Sequence, residues 1–600
     1  MLNSNSFLKK IQETNFLILV ILVVLIVLLS SLDGGRGYLA NNLLLFLSGI
    51  LLLLAIKNHK FCLGKAHYIL FGFLFFSALS LFFSFSAYNS FAYFLQIFSV
   101  GILFFVVSSL HFSYKDLKIF INVILGTAFI LCLIGFYFYI TGHYSRLTSI
   151  FYWPNPFAGY LLFVIPLGLI IFLKSKKKVF IAPLLIVFFT AFILTGSRGA
   201  FLALIIPLIF VFYYQRKNLK KNFCWLICLI LLIIVFTWLL SGMNETLNPS
   251  STKFFSKPSS DSLLDASSGI RLSYWEGAWH IFKDFPLFGI GFNNFRNVYP
   301  SYQTSPLNAG KYAHNFYLKI LSEAGIFTFL FFVFFLIYIF SIAKKKINFG
   351  KEPIVLGLWT GALGSCLHCF MDIDWCWSVN LVLFFLFCAC FYQFVLHADN
   401  SKYSISKFSK ITKSILFFIV IFLVFKASHG LFTDYSFTQA RNYQNMGLLK
   451  QAEKYYHQSL FLNPNPDYQR FFAYFLLTNG KIQQAEILSQ KLKRTDSHQA
   501  LNYQLSGYIA INRNNLIQAE QEFKQAIALD PLNRPAYYLD LARLYLAQNR
   551  KQEAKSIANK ILGYYPPDVI QNRMGLILPQ QTITSGIEKD IVELRKIVDL

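Results

Sequence analysis

Arg271, Glu276, His280, Arg296, His314, Asn315 and Glu323 all fall in one stretch, Ser268 to Gly325, bracketed by long apolar runs. Charge held close to lipid is costly, so such a concentration of polar groups points to function. Guanidinium is permanently charged and its fork matches phosphate oxygens in pairs. Imidazole, with an unperturbed pKa near ~6.5, accepts a proton at neutral pH. These two types can neutralise a phosphate and receive a proton in one place. Two more arginines stand in short segments: Arg146 opens RLTSIFYWPNPFAGY, and Arg198 lies in TGSRGA. Asp372 and Asp374 occupy the run MDIDWCW. Two carboxylates one residue apart with no nearby histidine make a poor metal set, and an ion pair with a site arginine is the favoured reading.

The elements that hold these residues must be membrane helices. The chain is 56% hydrophobic with a mean hydropathy of +0.51, which excludes a soluble globular protein. Thirteen apolar runs can cross a bilayer, each needing roughly 20 residues: 16–32, 38–56, 68–86, 91–110, 119–140, 157–173, 179–195, 199–214, 223–241, 316–342, 353–371, 379–396 and 414–427, the last being short. The +26 formal charge sits largely in lysine clusters between runs rather than on one face, so it does not indicate nucleic acid. With a cytoplasmic N-terminus, those clusters (Lys174 to Lys178, Lys344 to Lys346) fall inside, and the short outer loops keep only Arg36, Arg146 and Arg198. Lys9 and Lys10 then precede a signal anchor and first span rather than a cleaved leader. The 242–312 loop faces outward, and an odd span count puts everything after 428 outside too; if the short thirteenth run does not cross, that part falls in the cytoplasm while the loop stays outside.

The nine cysteines lie in or beside apolar segments, so no disulfide framework is expected. Cys366 and Cys369 read as small core residues. From about 432 to 567 the chain repeats on Ala452, Ala485, Ala519 and Ala554, a period near 34. Prolines close three units at Pro464, Pro531 and Pro566, and Ser497 stands where the fourth is expected. This resembles tetratricopeptide repeats, paired helices that form a binding surface. The expected fold is all-α: a polytopic bundle over 1–427, repeats over 428–567, and a capping helix or loose tail over 568–600.

Three pieces carry a further resemblance. Arg271 is followed by Trp275; PLFGIGFNNF holds Pro286, Gly289, Gly291 and Phe295; HNFYLKILSEAG holds His314, Asn315, Tyr317, Leu318, Leu321, Glu323 and Gly325. In that order and spacing they resemble the O-antigen ligase and polymerase family, which also contains protein O-oligosaccharyltransferases. The arginine ahead of Pro154 and Asn155, and the Ser-Arg-Gly turn at Arg198, resemble family features as well. The resemblance covers the membrane half only. It implies transfer of a glycan from a polyprenyl-diphosphate carrier, such as an undecaprenyl-diphosphate-linked donor, to a lipid, glycan or protein acceptor outside the bacterial cytoplasmic membrane.

On that reading Arg271 and Arg198, with Arg146 as a third, neutralise the diphosphate, and His314 is the general base. Asn155, Asn315 and Glu323 are assigned to substrate binding or to orienting His314. Arg296 can join the same group of guanidiniums, whereas His280 reads as a surface residue. No cofactor or metal is expected, and no Gly-rich phosphate loop occurs. The alternatives are arginines snorkelling to headgroups and a histidine that caps the following helix. At the level of the whole protein they are a transporter, disfavoured by the few mid-span charges, and a non-catalytic scaffold presenting the repeats to a protein partner.

Overall fold

A computed structural model describes residues 2–58, 61–110, 112–151, 153–247, 262–304, 306, 310–398, 405–406, 409–566 and 581–600. The first helices are α1 (Leu2–Ser31), α2 (Tyr38–Asn58), α3 (Lys65–Leu79), α4 (Ala87–Ser109), α5 (Tyr114–Ile140) and α6 (Pro154–Lys174). There follow α7 (Lys178–Thr195), α8 (Arg198–Tyr214), α9 (Arg216–Lys221), α10 (Phe223–Leu247), α11 (Ser262–Asp284) and α12 (Phe295–Val298). The membrane part ends with α13 (Phe316–Lys346), α14 (Pro353–His368), α15 (Ser378–Ala398) and α16 (Lys410–Asn445).

Each predicted span lies on one of these helices. Eleven are long and apolar enough to cross a bilayer, while α8 and α14 are shorter, at roughly 25 Å each. The fold is all-helical as expected, apart from Phe61–Cys62 and Ile405–Ser406, which pair as two-residue antiparallel strands.

The cap residues follow local chemistry. Ser113 and Asp116 form a reciprocal box at the start of α5, with Asp116 N donating to Ser113 Oγ at 3.2 Å and Ser113 N to Asp116 Oδ2 at 2.9 Å. The bundle centres on α6 and α15, both almost wholly buried. Gly357 and Gly361, one turn apart on α14, let that helix approach α6 closely. A Cβ on Gly361 would sit 2.8 Å from the Phe163 carbonyl oxygen, the close contact that small residues permit between membrane helices.

One break shapes the site. Within α13, Gly325 has φ 78° and ψ 178°, a conformation essentially confined to glycine. The break frees the carbonyls of Ser322 and Glu323, which accept from Ile290 N at 3.2 Å and Gly291 N at 2.8 Å. Ile326 N donates to Pro286 O at 2.9 Å in return. The PLFGIGFNNF segment is therefore stitched to α13 by backbone alone. A Cβ on Gly289 or Gly325 would overlap that backbone.

Beyond the bundle run α17 (Leu449–Leu460), α18 (Pro466–Thr478), α19 (Ile482–Thr495), α20 (Ala500–Asn512), α21 (Leu516–Leu529), α22 (Pro535–Ala547), α23 (Lys551–Leu562) and α24 (Gln581–Asp599). Ala452, Ala485, Ala519 and Ala554 are all fully buried, as close packing of paired helices requires. The first helix of the first pair is the end of α16, so the last span and the repeat array share one 36-residue helix. Helix α24 packs on α22 and α23 through Ile591, Leu594 and Ile597; residues 568–580 of the expected tail lie outside the described residues.

The array rests on the loop that follows α11. Arg296 Nη2 meets Asp467 Oδ2 at 3.3 Å, Asn297 Nδ2 donates to Asp496 Oδ1 at 3.1 Å, and Gln303 and Asn533 exchange amide hydrogen bonds at 2.9 and 3.0 Å. Phe85, between α3 and α4, stacks on His498 with centroids 3.8 Å apart.

Candidate functional site

Asn155 at the start of α6, Arg271 on α11 and His314 in the loop before α13 come together around Asp372. This carboxylate is 2% exposed. Its Oδ2 accepts from Asn155 Nδ2 at 2.6 Å and from Arg271 Nη2 at 3.1 Å. Its Oδ1 accepts from Ile373 N at 2.9 Å and lies 3.3 Å from His314 Nδ1. Arg146 joins through Asn155, donating from Nη2 to Asn155 Oδ1 at 3.1 Å, while its Nε holds the Thr195 carbonyl at 2.7 Å. A single buried carboxylate thus links Arg146, Asn155, Arg271 and His314.

The electrostatics follow from that arrangement. Burial alone would raise the Asp372 carboxyl, but the His314 hydrogen bond and the charges of His314 and Arg271 hold it well below the usual carboxylate range. Burial lowers Arg146 to about 10, with Asp372 opposing and the neighbouring Arg271 and Arg198 reinforcing the shift. Three guanidiniums therefore lie close enough to feel one another. Arg198 is exposed and begins α8 directly after its N-cap, Ser197. Arg271 and His314 are about one-third exposed at their side chains (32% and 36%) over an almost fully buried Asp372. The pair is open to a substrate while its anchor is not.

His314 has φ 48°, a left-handed conformation uncommon outside glycine. The ring stacks beside Tyr274 with centroids 5.7 Å apart, and the His314 carbonyl accepts from Trp275 Nε1 at 3.4 Å. Arg271 and Trp275, one turn apart on α11, thus grip the 310–315 segment and its partner Asp372 together. Nδ1 faces the carboxylate, so in the neutral tautomer that donates from Nδ1 the other ring nitrogen, Nε2, is the acceptor.

Other predicted residues lie elsewhere. Asn315 caps α13, its Oδ1 accepting from Tyr317 N at 3.0 Å and Leu318 N at 3.1 Å. Glu323 is fully buried and accepts from Asn293 N at 2.8 Å and Phe295 N at 3.4 Å. It is also paired with Lys319 one turn back, whose Nζ sits 4.4 Å from the Tyr93 ring centroid. Glu323 therefore fastens the 289–295 loop, away from His314. Arg296 turns to the repeats rather than to the other arginines, and His280 is exposed.

The expectation that Asp372 and Asp374 have no histidine nearby is corrected. Each has one. His368 Nδ1 lies 2.5 Å from Asp374 Oδ2, and His368 Nε2 is 3.5 Å from Ser197 Oγ. Burial pushes Asp374 up to about 6, with His368 opposing. This pair backs the Arg198 turn: a Cβ on Gly199 would meet His368 Nε2 at 3.4 Å and Met371 Cβ at 3.0 Å. The spacing of His368 and Asp374, six residues across a helix end, was the available signal. Among the described residues no cluster of three or more His, Cys, Asp or Glu is arranged to hold a metal.

Comparison with known families places these residues in context. Residues 183–333 match the O-antigen ligase family model, and residues 510–571 match a tetratricopeptide-repeat model. No curated protein matches the chain. The chain thus carries an O-antigen ligase domain and a C-terminal tetratricopeptide repeat within a multi-pass membrane protein, and lipid-linked glycan transfer is the activity that domain implies. The match includes Arg198, Arg271 and His314. Arg146, Asn155 and Asp372 lie outside it and are joined to it only in three dimensions.

Proposed function

We propose that the protein transfers a glycan from a polyprenyl-diphosphate carrier to an acceptor hydroxyl at the outer face of the bacterial cytoplasmic membrane, as a ligase. The observation that carries the reading is the buried Asp372 carboxylate, which holds a partly exposed imidazole and a partly exposed guanidinium side by side. His314 Nε2 takes the acceptor's proton as its oxygen bonds to the anomeric carbon. The bond from that carbon to the phosphate oxygen breaks, and the charge left on the polyprenyl diphosphate falls to Arg271, Arg198 and Arg146. Asp372 orients His314 and stabilises the imidazolium that forms, as a carboxylate does in other base–carboxylate pairs. One of the five Arg271 donors is spent on Asp372, which leaves the fork available to a phosphate.

The repeats pack against the loop that continues from α11, and the lysine clusters gather at the other ends of the spans. Both features support an extracytoplasmic repeat array near a macromolecular acceptor or partner. The same chemistry serves a polymerase, whose acceptor is a second lipid-linked glycan, and a protein O-oligosaccharyltransferase.

The test is transfer in a host lacking its own ligase, comparing the native protein with His314→Ala and Arg271→Ala. Lipid, lipid-linked glycan and protein acceptors are scored separately, and carrier-linked glycan is quantified in the same cells. Accumulation of glycan on its carrier with normally inserted variants is the expected result. Native-level transfer by either variant would remove the proposed site.

A further inference from the structure

A polar cavity lies beside the His314 cluster and is lined by none of that cluster's residues. It is about 250 Å³ in volume and opens between α2, α4, α16 and the turn into the second repeat, just under the roughly 300 Å³ at which small-molecule sites begin. Four cationic side chains line it: Arg36, Arg296, Lys311 and Lys426. One carboxylate does so, Asp434, and it already accepts from Tyr468 OH at 2.6 Å and Asn42 Nδ2 at 3.3 Å. Arg296 is shared with Asp467, just outside the lining. The excess of positive charge persists in a recess where counter-charge from water is reduced.

The rest of the lining suits a sugar. Tyr38, Tyr88 and Tyr312 offer ring faces and hydroxyls, and Asn89 and Asn293 offer amides. Asn89 Nδ2 and His429 Nε2 are buried without a hydrogen-bond partner among the described residues, a cost that a bound hydroxyl or oxyanion would relieve.

Position adds the last link. Lys311 and Tyr312 stand three and two residues before His314, and Cys376 stands four after Asp372. The two loops that bear the His314–Asp372 pair thus also border the cavity, and Asn463, at the end of the first repeat unit, lines it too.

We propose that this cavity is a second saccharide site, one that holds an oxyanion-bearing sugar of a glycan substrate beside the His314 cluster. It rests on the transfer reading only for calling the saccharide a substrate. Lys311 and Lys426 take the carboxylate or phosphate, and the tyrosines stack on the ring.

Binding is measured directly on the full-length protein in phosphatidylcholine nanodiscs. The probes are digalacturonate, galactose 1-phosphate and neutral digalactose. Digalacturonate or galactose 1-phosphate binding that weakens with salt, and falls about tenfold or more in Lys311→Gln/Lys426→Gln, is the expected result. The better of the two probes identifies carboxylate or phosphate as the oxyanion. Lys311→Arg/Lys426→Arg should retain binding, which separates lost charge from lost fold. Equal binding of neutral digalactose overturns the proposal, as does unchanged affinity in the glutamine variant or binding only of cardiolipin added to the discs. Arg271→Gln should lose transfer yet keep probe binding. Transfer by that variant would count against the His314 cluster alone, so the two readings fail separately.

Discussion

Asp372 Oδ1 lies 3.3 Å from His314 Nδ1, across 58 residues of chain and two membrane helices. On the proposed mechanism His314 and Asp372 act as one unit. Removing His314 should lower turnover by about 10²-fold or more, the usual worth of a general base. Asp372→Asn should cost a comparable factor in kcat with a smaller change in KM. The double variant should be little worse than either single one, because groups acting together are not additive. Transfer kinetics on the purified protein decide this, and additive losses would separate the two residues.

Arg146 should tolerate no lysine. Its Nε and Nη2 serve Thr195 O and Asn155 Oδ1 at once, a fork that an ammonium cannot reproduce. Arg146→Lys keeps the charge yet should raise the apparent KM for the carrier-linked glycan. Asn155→Ala should do the same, since it cuts the bridge from Arg146 to Asp372. Carrier titrations with both variants are the check.

Glu323 and Lys319 form a buried ion pair, both fully inaccessible. Removing one partner of such a pair typically costs about 3–5 kcal/mol. Glu323→Gln and Lys319→Met should therefore lower yield and melting temperature in detergent. Any folded fraction should retain carrier affinity, which a substrate-binding role for Glu323 would not allow. Gly325→Ala should destabilise too, through its positive φ and the Leu287 carbonyl.

The two aspartates should respond to pH in opposite directions. Asp374 is raised to about 6 by burial, so between its ordinary value and 6 the folded state binds more protons than the unfolded one. Its contribution to stability is present in acid and is lost as pH rises through that window. Asp372 is lowered, so its contribution is present above the ordinary carboxylate value and is lost only in stronger acid. Asp374→Asn should reduce the fall in thermal stability between pH 4 and pH 7, read by melting in detergent.

The sequence carried much of this because spans and repeats are periodic. Apolar runs and lysine clusters marked the helices, and Ala452, Ala485, Ala519 and Ala554 marked the array. The lone arginines stood out because charge selection leaves few on that face. What was not legible is long-range partnering. Nothing near Arg296 signals that it turns to Asp467, 171 residues on, nor does Asn155 announce a bridge between Arg146 and Asp372. Lys319 is a charge set in an apolar helix. Its one-turn spacing from Glu323 is a helical signal, yet the loop that Glu323 holds is fixed by the break at Gly325, which hydropathy does not register.

The unbroken α16 has a mechanical consequence. Thirty-six residues at 1.5 Å each make a shaft of about 54 Å, with a candidate membrane span toward one end and the first rung of the repeats at the other. There is no swivel between them. A protein that grips the array must therefore exert torque on the embedded bundle through one backbone, while the Arg296–Asp467 contact braces the load on the loop that leads to His314. In this molecule a tug on the repeats reaches the membrane without passing through a joint.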